Sequence, residues 1–534
     1  MSTDWGVLYF FNLDEKDALA PYLQAVAKAN NIKPPTQSPA GWCSWYQFFT
    51  GVTAEDIQKN LQAITTLRSE LPLGLLQIDD GFEAQVGDWF EFKSTFPDGV
   101  AHLRQEIQAG GLTPGLWLAP FIVHPSSKLA REHPEFLLRK SDGRPVKAGF
   151  CWNTFAEALD LTHPGAMQYA VDVVGTAVHQ WGYPYLKLDF LYAAALKGKR
   201  YDPTLTRAQI LHRGMQALRS AAGKDTFLLG CGAPLGSVLG LVDAMRIGAD
   251  VSPDWLPNFK GIKPIFKNEP HFPSTRNSIH NILTRAPLHK HWWVNDPDCL
   301  LIRPNSNLTL AEVRSLATAI ALTGGSLLLS DDLPSLPPDR LALAQSLIPL
   351  IGQRAEIIDL YDETSPQKVR LDLHGNQGTW HLCAQFNWGD RSIVAPFNPE
   401  AFRLPGGAYW WSSFWDGKTG TMSNEAAKPN RRIPPHGVSL IAIYPQQLDK
   451  VQFIGSSLHI SQGIEVSHWH SGLTAFQFSL ELPRNAAGWF DLYLPRPPYS
   501  IVANDQPLPW QTLENKRYRF STSFSSSLKA EIAW

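Results

Sequence analysis

The sequence predicts an α/β fold, a (β/α)8 TIM-type barrel followed by a C-terminal all-β sandwich region. Three observations carry this expectation. Between residues 36 and 340, eight short apolar runs alternate with amphipathic helical patterns, and such alternation implies parallel strands joined by crossover helices. No GxGxxG or Walker pattern occurs, which leaves a doubly wound nucleotide-binding sheet without support. Beyond Pro334 and one more helix, strands broken by Gly, Pro, Asn and Asp take over, the texture of a sandwich.

At 534 residues the chain exceeds one compact core. Residues 1–35 read as a short N-terminal segment: an apolar piece at Gly6–Phe11, then a helix capped near Asp14 and running to about Ala29, closed by Lys33-Pro34-Pro35. Residues 36–340 form the predicted barrel. Its strands are expected at Gly41–Trp45, Gly74–Ile78, Gly115–Ala119, Tyr185–Asp189, Phe227–Cys231, Ala244–Gly248, Trp292–Val294 and Ser326–Ser330. Helices are expected at Ala54–Glu70, Val100–Ala109, Pro164–Trp181, Thr206–Ala221 and Leu310–Leu322, the first with a cap from Thr53 to Asp56. Residues 341–448 follow as β-sandwich, with strands at Lys368–Leu373, Gly378–Asn387, Ser392–Pro396 and Val438–Tyr444. Residues 449–534 add β segments such as Phe476–Leu482 and Trp489–Tyr493, either extending that module or forming a second one.

A net charge of −2 and a charged content of only 18% oppose a nucleic-acid or anionic-membrane partner. Nineteen tryptophans are many, and the surplus beyond a core is what a pocket that stacks on sugar rings would use. The cysteines Cys43, Cys151, Cys231, Cys299 and Cys383 are odd in number and lack a CxxC, which fits a reducing compartment better than a disulfide framework or a zinc site. Met1-Ser2-Thr3-Asp4-Trp5 opens no signal peptide, and no stretch has the length of a membrane span. The expected location is cytoplasmic.

Active sites of such barrels lie at the C-terminal strand ends, and the polar residues there are informative. Strand one ends in Trp42, Ser44, Trp45 and Tyr46; strand two in Asp79-Asp80-Gly81; strand three in Trp117. Strand four ends in Lys187 and Asp189, strand five in Cys231-Gly232, strand six in Arg246 and Asp250, strand seven in Asn295-Asp296-Pro297-Asp298, and strand eight in Asp331-Asp332. Five of eight ends carry carboxylates. Lys187 and Asp189 stand two apart on a strand, so both point to one face. Alone, that pair reads equally as a structural ion pair or as part of a site. Metal binding lacks His–x–His or His–Glu partners, so no metal and no cofactor are expected. No GxSxG elbow occurs. Paired carboxylates in an aromatic pocket fit glycoside hydrolysis, one attacking or activating water and the other protonating the leaving oxygen. Lys187 would keep Asp189 ionised as a nucleophile, and Asp250 at the start of the Val251-Ser252-Pro253 loop suits the acid/base. Chemistry alone leaves Asp79, Asp80, Asp296 and Asp331 as rivals for either role.

The motifs Gly41-Trp42-Cys43-Ser44-Trp45-Tyr46, Gln77-Ile78-Asp79-Asp80-Gly81-Phe82, Lys187-Leu188-Asp189, Arg246-Ile247-Gly248-Ala249-Asp250 and Asn295-Asp296-Pro297-Asp298-Cys299, with Gly324-Gly325 and Leu328-Leu329-Ser330-Asp331, fall in order. Over about residues 36–445 the chain resembles glycoside hydrolase family 36, the α-galactosidases. The resemblance implies a retaining enzyme with a galactosyl–Asp189 intermediate and Asp250 as acid/base. It implies that Arg246 and Lys187 contact substrate, that Asp79 and Asp80 accept from the O4 and O6 region of galactose, and that Cys231 and Gly232 lie near O2. Trp42, Trp45, Trp117 and Trp152 are candidate pocket walls. The implied substrate is a terminal, non-reducing α-D-galactoside of the raffinose or melibiose type, on an oligosaccharide or glycoconjugate. Alternatives are a transglycosylase of raffinose-synthase type, an α-N-acetylgalactosaminidase or a β-L-arabinopyranosidase. A silent carbohydrate-binding relative would have lost a catalytic carboxylate, whereas both are present. Family members usually carry a large N-terminal β-sandwich, and here about 35 residues precede the barrel, which leaves the aglycone side and any oligomer open.

Overall fold

The computed structural model describes residues 9, 10, 12, 17–258, 270–362, 364–423, 429–472 and 475–534. Most of the expected Gly6–Phe11 piece and the helix cap near Asp14 lie outside the described residues. The helix itself spans Ala20–Ala29.

Eight parallel strands build the barrel: β1 (Ala40–Cys43), β2 (Leu75–Ile78), β3 (Thr113–Leu118), β4 (Tyr185–Leu188), β5 (Phe227–Gly230), β6 (Ala244–Arg246), β7 (Val294–Asp296) and β8 (Leu327–Leu329). Each pairs with the next from β1 to β7, and β1 pairs with β8. The ring closes through a break in β7. Pro297 has no N–H to give a ladder, and Asp298 turns into the left-handed region at φ 77°. Beyond the break, Cys299–Leu300 pairs with β8. All four residues of β2 and of β4 are buried, as expected of strands covered on both faces.

Three of the crossover helices start in full capping boxes, Thr53 with Asp56, Thr206 with Gln209 and Thr309 with Glu312. The helix after β1 ends at Thr66, four residues short of the expectation, and the helix before β4 gives way at Thr176–Gln180 to a wider turn. One barrel helix, Thr275–Arg285, has no counterpart in the periodicity reading. Its buried face includes Asn277, Ser278 and Asn281 in place of apolar residues. Asn281 gives its amide to Pro270 O and Asn277 O, each at 2.9 Å, so hydrogen bonds do there what leucines do elsewhere.

Beyond the barrel, a six-stranded antiparallel sheet runs Glu356–Ile357, Lys368–Gly375, Gly378–Phe386, Val438–Pro445, Tyr409–Ser413, Lys418–Met422 in spatial order. The last two strands were not apparent from alternation. Past residue 451 the chain makes a four-stranded and a five-stranded sheet of its own, with Phe478 of one packed against Phe490 of the other at 5.6 Å between ring centres. The β region grips the barrel next to its mouth. Trp255, a few residues past β6, stacks on His436 at 4.5 Å, and His436 pairs with Glu312 at 2.7 Å. Among the described residues no helix is long and apolar enough to cross a membrane.

Gly41 faces Leu75 at a close approach of β1 and β2. A Cβ there would sit 2.4 Å from the Leu75 carbonyl oxygen, a backbone atom with nowhere to go, whereas a Cβ on Gly74 meets nothing nearer than 3.8 Å. Gly41→Ala is therefore expected to cost about 3 kcal/mol or to prevent accumulation of soluble chain, while Gly74→Ala is tolerated. Thermal unfolding of both checks this; equal midpoints would contradict the close approach.

Candidate active site

At the C-terminal end of the barrel lies a cavity of about 370 Å3, lined by Trp45, Phe49, Thr50, Asp79, Asp80, Trp117, Cys151, Trp152, Asn153, Lys187, Asp189, Phe190 and Asp250. A larger groove of about 920 Å3 crosses the five-stranded sheet; its Glu481, Asp505, Lys529 and Glu531 are all exposed, whereas Asp79, Asp80 and Lys187 of the barrel cavity are buried.

The strand period puts Lys187 and Asp189 on one face of β4, and both reach the cavity. Their partners differ from the expectation. Lys187 Nζ pairs with Asp79 Oδ2 at 2.9 Å, not with Asp189. Burial alone would strip Lys187 of its proton; the Asp79 carboxylate overrides this and holds the ammonium well above the usual lysine range. Asp79 Oδ2 also accepts from Gln77 Nε2 at 2.7 Å and from the Cys43 thiol at 3.4 Å, while Oδ1 accepts the Asp80 amide at 3.0 Å. Asp189 is oriented by neutral donors instead. Trp117 Nε1 donates to its Oδ2 at 3.1 Å and the Phe190 amide to its Oδ1 at 2.6 Å. Gly232, at φ 63°, leaves room beside it: a Cβ there would lie 3.4 Å from Asp189 Oδ1.

Arg246 is buried and gripped by three carboxylates. It meets Asp250 through Nη1 at 3.0 Å, Asp296 through Nε at 2.9 Å and Asp298 through Nη2 at 2.9 Å. Asp298 also accepts the Tyr46 hydroxyl and, at 2.8 Å, the Val251 amide. Asp298 reaches this position at the break in β7, where its φ is 77°. Three carboxylates on one guanidinium leave negative charge uncompensated. The Asp250 carboxyl is pushed up to about 6, first by the surrounding protein and then by Asp298, against the pull of Arg246. Its side chain is 51% exposed to the cavity, so water and a substrate both reach it. Asp296 is held below the usual carboxylate range by Arg246 despite its burial.

The rivals thus separate. Asp296 serves Arg246, Ser326 and the Asp298 amide. Asp331 is fully buried and ties down the chain after β7 through Ile302 N at 2.6 Å and Arg303 Nη1 at 2.7 Å. Neither lines the cavity. Trp42 is corrected as a pocket wall: it is fully buried and its indole donates to Asp331 O at 2.8 Å. Its position on β1 points it into packing, whereas Trp45, Trp117 and Trp152 line the cavity. Cys231 and Arg246 are buried behind that lining.

The cavity also holds residues that sequence reasoning did not single out: Phe49, Thr50, Cys151, Asn153 and Phe190. Phe49 stands at φ 48°, ψ −148°, a conformation normally left to glycine, and its ring packs edge-on against Trp45 at 5.2 Å. Trp152 and Asn153, at φ 51° and 58°, form the two-residue tip between strands Lys147–Cys151 and Thr154–Ala158. Both central residues of such a tip need positive φ, and asparagine tolerates it; a Trp-Asn pair between short alternating runs was the available signal. The tip carries Trp152 Nε1 to Asp80 Oδ2 at 2.6 Å.

A family model described as Melibiase matches residues 51–221, a stretch that includes Asp79, Asp80, Lys187 and Asp189. Alpha-galactosidase 2 of Pediococcus pentosaceus is 25% identical over 29% of this chain and 22% of its own length. A type blood alpha-D-galactosamine galactosaminidase of Flavonifractor plautii is 30% identical over 22% of this chain and 12% of its own. The chain therefore spans about a fifth or less of these curated relatives. Among solved structures, an alpha-galactosidase from Thermus thermophilus in complex with stachyose is 34% identical with a TM-score of 0.54, covering 61% of this chain and 69% of that one. A GH27 β-L-arabinopyranosidase from Geobacillus stearothermophilus has a TM-score of 0.57 over 79% of this chain and 98% of its own at 15% identity, a likeness of fold alone.

The Lys187–Asp79 pair supplies a test of what holds the site. Lys187→Met leaves Asp79 buried and uncompensated and should cost about 3–5 kcal/mol, read as a fall in thermal midpoint. Adding Asp79→Asn should restore most of that stability while turnover stays lost. A Lys187→Met chain as stable as the native one would contradict the pairing.

Proposed function

The chain belongs to the melibiase-type α-galactosidases, and we propose that it is a retaining, exo-acting α-galactosidase acting on terminal non-reducing α-D-galactosides of the raffinose or melibiose type. Within that group the ordered motifs support a place in glycoside hydrolase family 36. One observation carries the reading: Asp189, held by two neutral donors, and Asp250, raised to about 6, open into one small cavity, which supports two-carboxylate glycoside hydrolysis.

The galactosyl ring enters with its O4 and O6 side toward Asp79 and Asp80. Asp79 Oδ2 is filled by Lys187, Gln77 and Cys43, so a sugar hydroxyl finds room at Oδ1. Lys187, with three N–H donors and one given to Asp79, keeps donors for the ring hydroxyls. A buried acceptor set of this kind rejects an epimer that leaves it unpaired. Asp189 attacks the anomeric carbon from the β face. The bond to the leaving oxygen breaks as Asp250 gives that oxygen its proton, and a β-linked galactosyl ester remains on Asp189. Asp250, now a carboxylate, takes a proton from water as the water attacks the same carbon. The ester bond breaks, Asp189 is regenerated, and galactose leaves with its α configuration retained. All five cysteines are free thiols, in keeping with a cytoplasmic enzyme.

Asp189→Ala is expected to lower turnover of p-nitrophenyl α-galactoside by about 10^4-fold or more, with azide restoring a reaction that yields β-galactosyl azide. Near-native activity would remove Asp189 from its role. A general acid must hold its proton, so kcat/KM should fall as pH rises through the range near 6 to which the site raises the Asp250 carboxyl. Asp250→Asn should abolish that alkaline limb and hurt raffinose far more than a nitrophenyl substrate, whose leaving group needs little protonation. An unchanged limb would exclude Asp250 as the acid.

A further inference from the structure

Behind Asp80 stands a carboxyl that the mechanism above does not use. Glu83 is 2% exposed and Asp80 3%. The backbone around Glu83 is fixed by a short two-sided ladder: Glu83 bridges Phe92, the Lys93 amide donates to Phe82 O at 3.0 Å, and the Ala84 amide to Glu91 O at 2.7 Å. The Glu83 side chain accepts the Gly81 amide at 3.3 Å and is hydrogen-bonded to the Asp80 carboxyl. Asp80 in turn receives Trp152 Nε1 and lines the cavity, whereas Glu83 does not reach it. Lys93, the cation whose field both carboxyls feel, spends its amine on Thr50 O at 3.0 Å.

Two buried carboxyls in hydrogen-bond contact need one proton between them, since two acceptors make no bond and two adjacent anions repel at low dielectric. Burial raises the Asp80 carboxyl too, but the Trp152 N–H and the contact with Glu83 pull it back toward its anion. Glu83 has burial and a neighbouring carboxylate, and its carboxyl is raised well above the usual range by burial first and Asp80 second. The proton therefore resides on Glu83.

We infer that neutral Glu83 is a positioning residue that donates its O–H to Asp80 and so fixes the Asp80 carboxylate in the orientation that receives the galactosyl hydroxyls. The inference rests on the reading of Asp80 as a sugar contact. It assigns Glu83 a part in recognition without contact to substrate. Trp152 from the hairpin tip and Glu83 from the segment after β2 clamp Asp80 from two sides. The remaining acceptor capacity of Asp80 then faces the ring.

The test compares Glu83→Gln, which keeps a donor at nearly the same place, with Glu83→Leu, which removes it. Asp80 contacts the sugar in ground and transition states alike, so its misplacement should appear in KM. Glu83→Leu is expected to raise KM for a nitrophenyl α-galactoside tenfold or more with kcat changed less, and Glu83→Gln to raise it about threefold. In an Asp80→Asn background the Leu substitution should add little, a coupling that a merely structural residue would not show. Native KM in Glu83→Leu, or a Gln variant as impaired as Leu, would overturn the inference while leaving the galactosidase reading intact. If Glu83→Leu fails to fold, the Gln variant decides alone, since an ionised Glu83 would make it costly. A readout independent of turnover is the native-minus-Glu83→Gln infrared difference spectrum at pH 8, expected to show the carbonyl band of one neutral carboxylic acid. If the native chain hydrolysed no α-galactoside, the functional reading would fail, and the band would still decide the state of Glu83. Identical spectra would refute it.

Discussion

The site depends on an imbalance of charge that the barrel cannot relieve. Lys187 and Arg246 are buried cations, and Asp79, Asp250, Asp296 and Asp298 crowd upon them while Asp189 stands close by. Lys187 is committed to Asp79, and Arg246 is shared among three carboxylates. Taking so many charges from water is costly, and pairing offsets only part of it. The remainder appears as protons retained on acids that would otherwise lose them: Asp250 at about 6, and Asp298 above its ordinary range because burial and Asp296 outweigh Arg246. Asp189 meets neutral donors instead of a cation, the Trp117 indole and its neighbour's amide.

The backbone irregularities are what make the arrangement buildable. In β7 the ladder stops at Pro297 and Asp298 turns left-handed, and Asp296 and Asp298 both meet Arg246 across that break. The Trp152–Asn153 tip brings an indole to Asp80 from a hairpin inserted between β3 and β4. Phe49 holds a glycine-like conformation at the rim. Such positions recur where geometry is fixed by chemistry in preference to local propensity. The β region contributes at a distance, since His436 packs under Trp255 on the same stretch of chain as Asp250.

Much of this was legible in the sequence because the relevant periodicities are short. Eight apolar runs marked eight strands, although the seventh strand begins at Val294, where its run was expected to end, and the i, i+2 spacing sent Lys187 and Asp189 to one face. What could not be read was partnership. Lys187 is two residues from Asp189 in sequence, yet its charge meets Asp79 from two strands away, a pairing that depends on barrel curvature. Trp42 looked like its neighbour Trp45, and only the direction of each side chain separates a packed indole from a pocket wall. Thr275–Arg285 escaped because polar Asn277, Ser278 and Asn281 interrupt its buried face, and Glu83 because a glutamate in a loop reads as solvated until burial is known. The strands Tyr409–Ser413 and Lys418–Met422 lack the clean alternation of their neighbours for a similar reason: cross-strand partners decided them.

The central claim is that Asp189 bonds to the sugar while Asp250 manages the proton. The most direct measurement is peptide mass analysis after brief reaction with an activated fluorinated galactoside that forms the ester faster than water removes it. A single glycosyl adduct on the peptide containing Asp189 is predicted, absent from Asp189→Ala and retained in Asp250→Asn. An adduct on Asp79, Asp80 or Asp250, or no adduct under turnover that inverts the anomeric centre, would contradict the account.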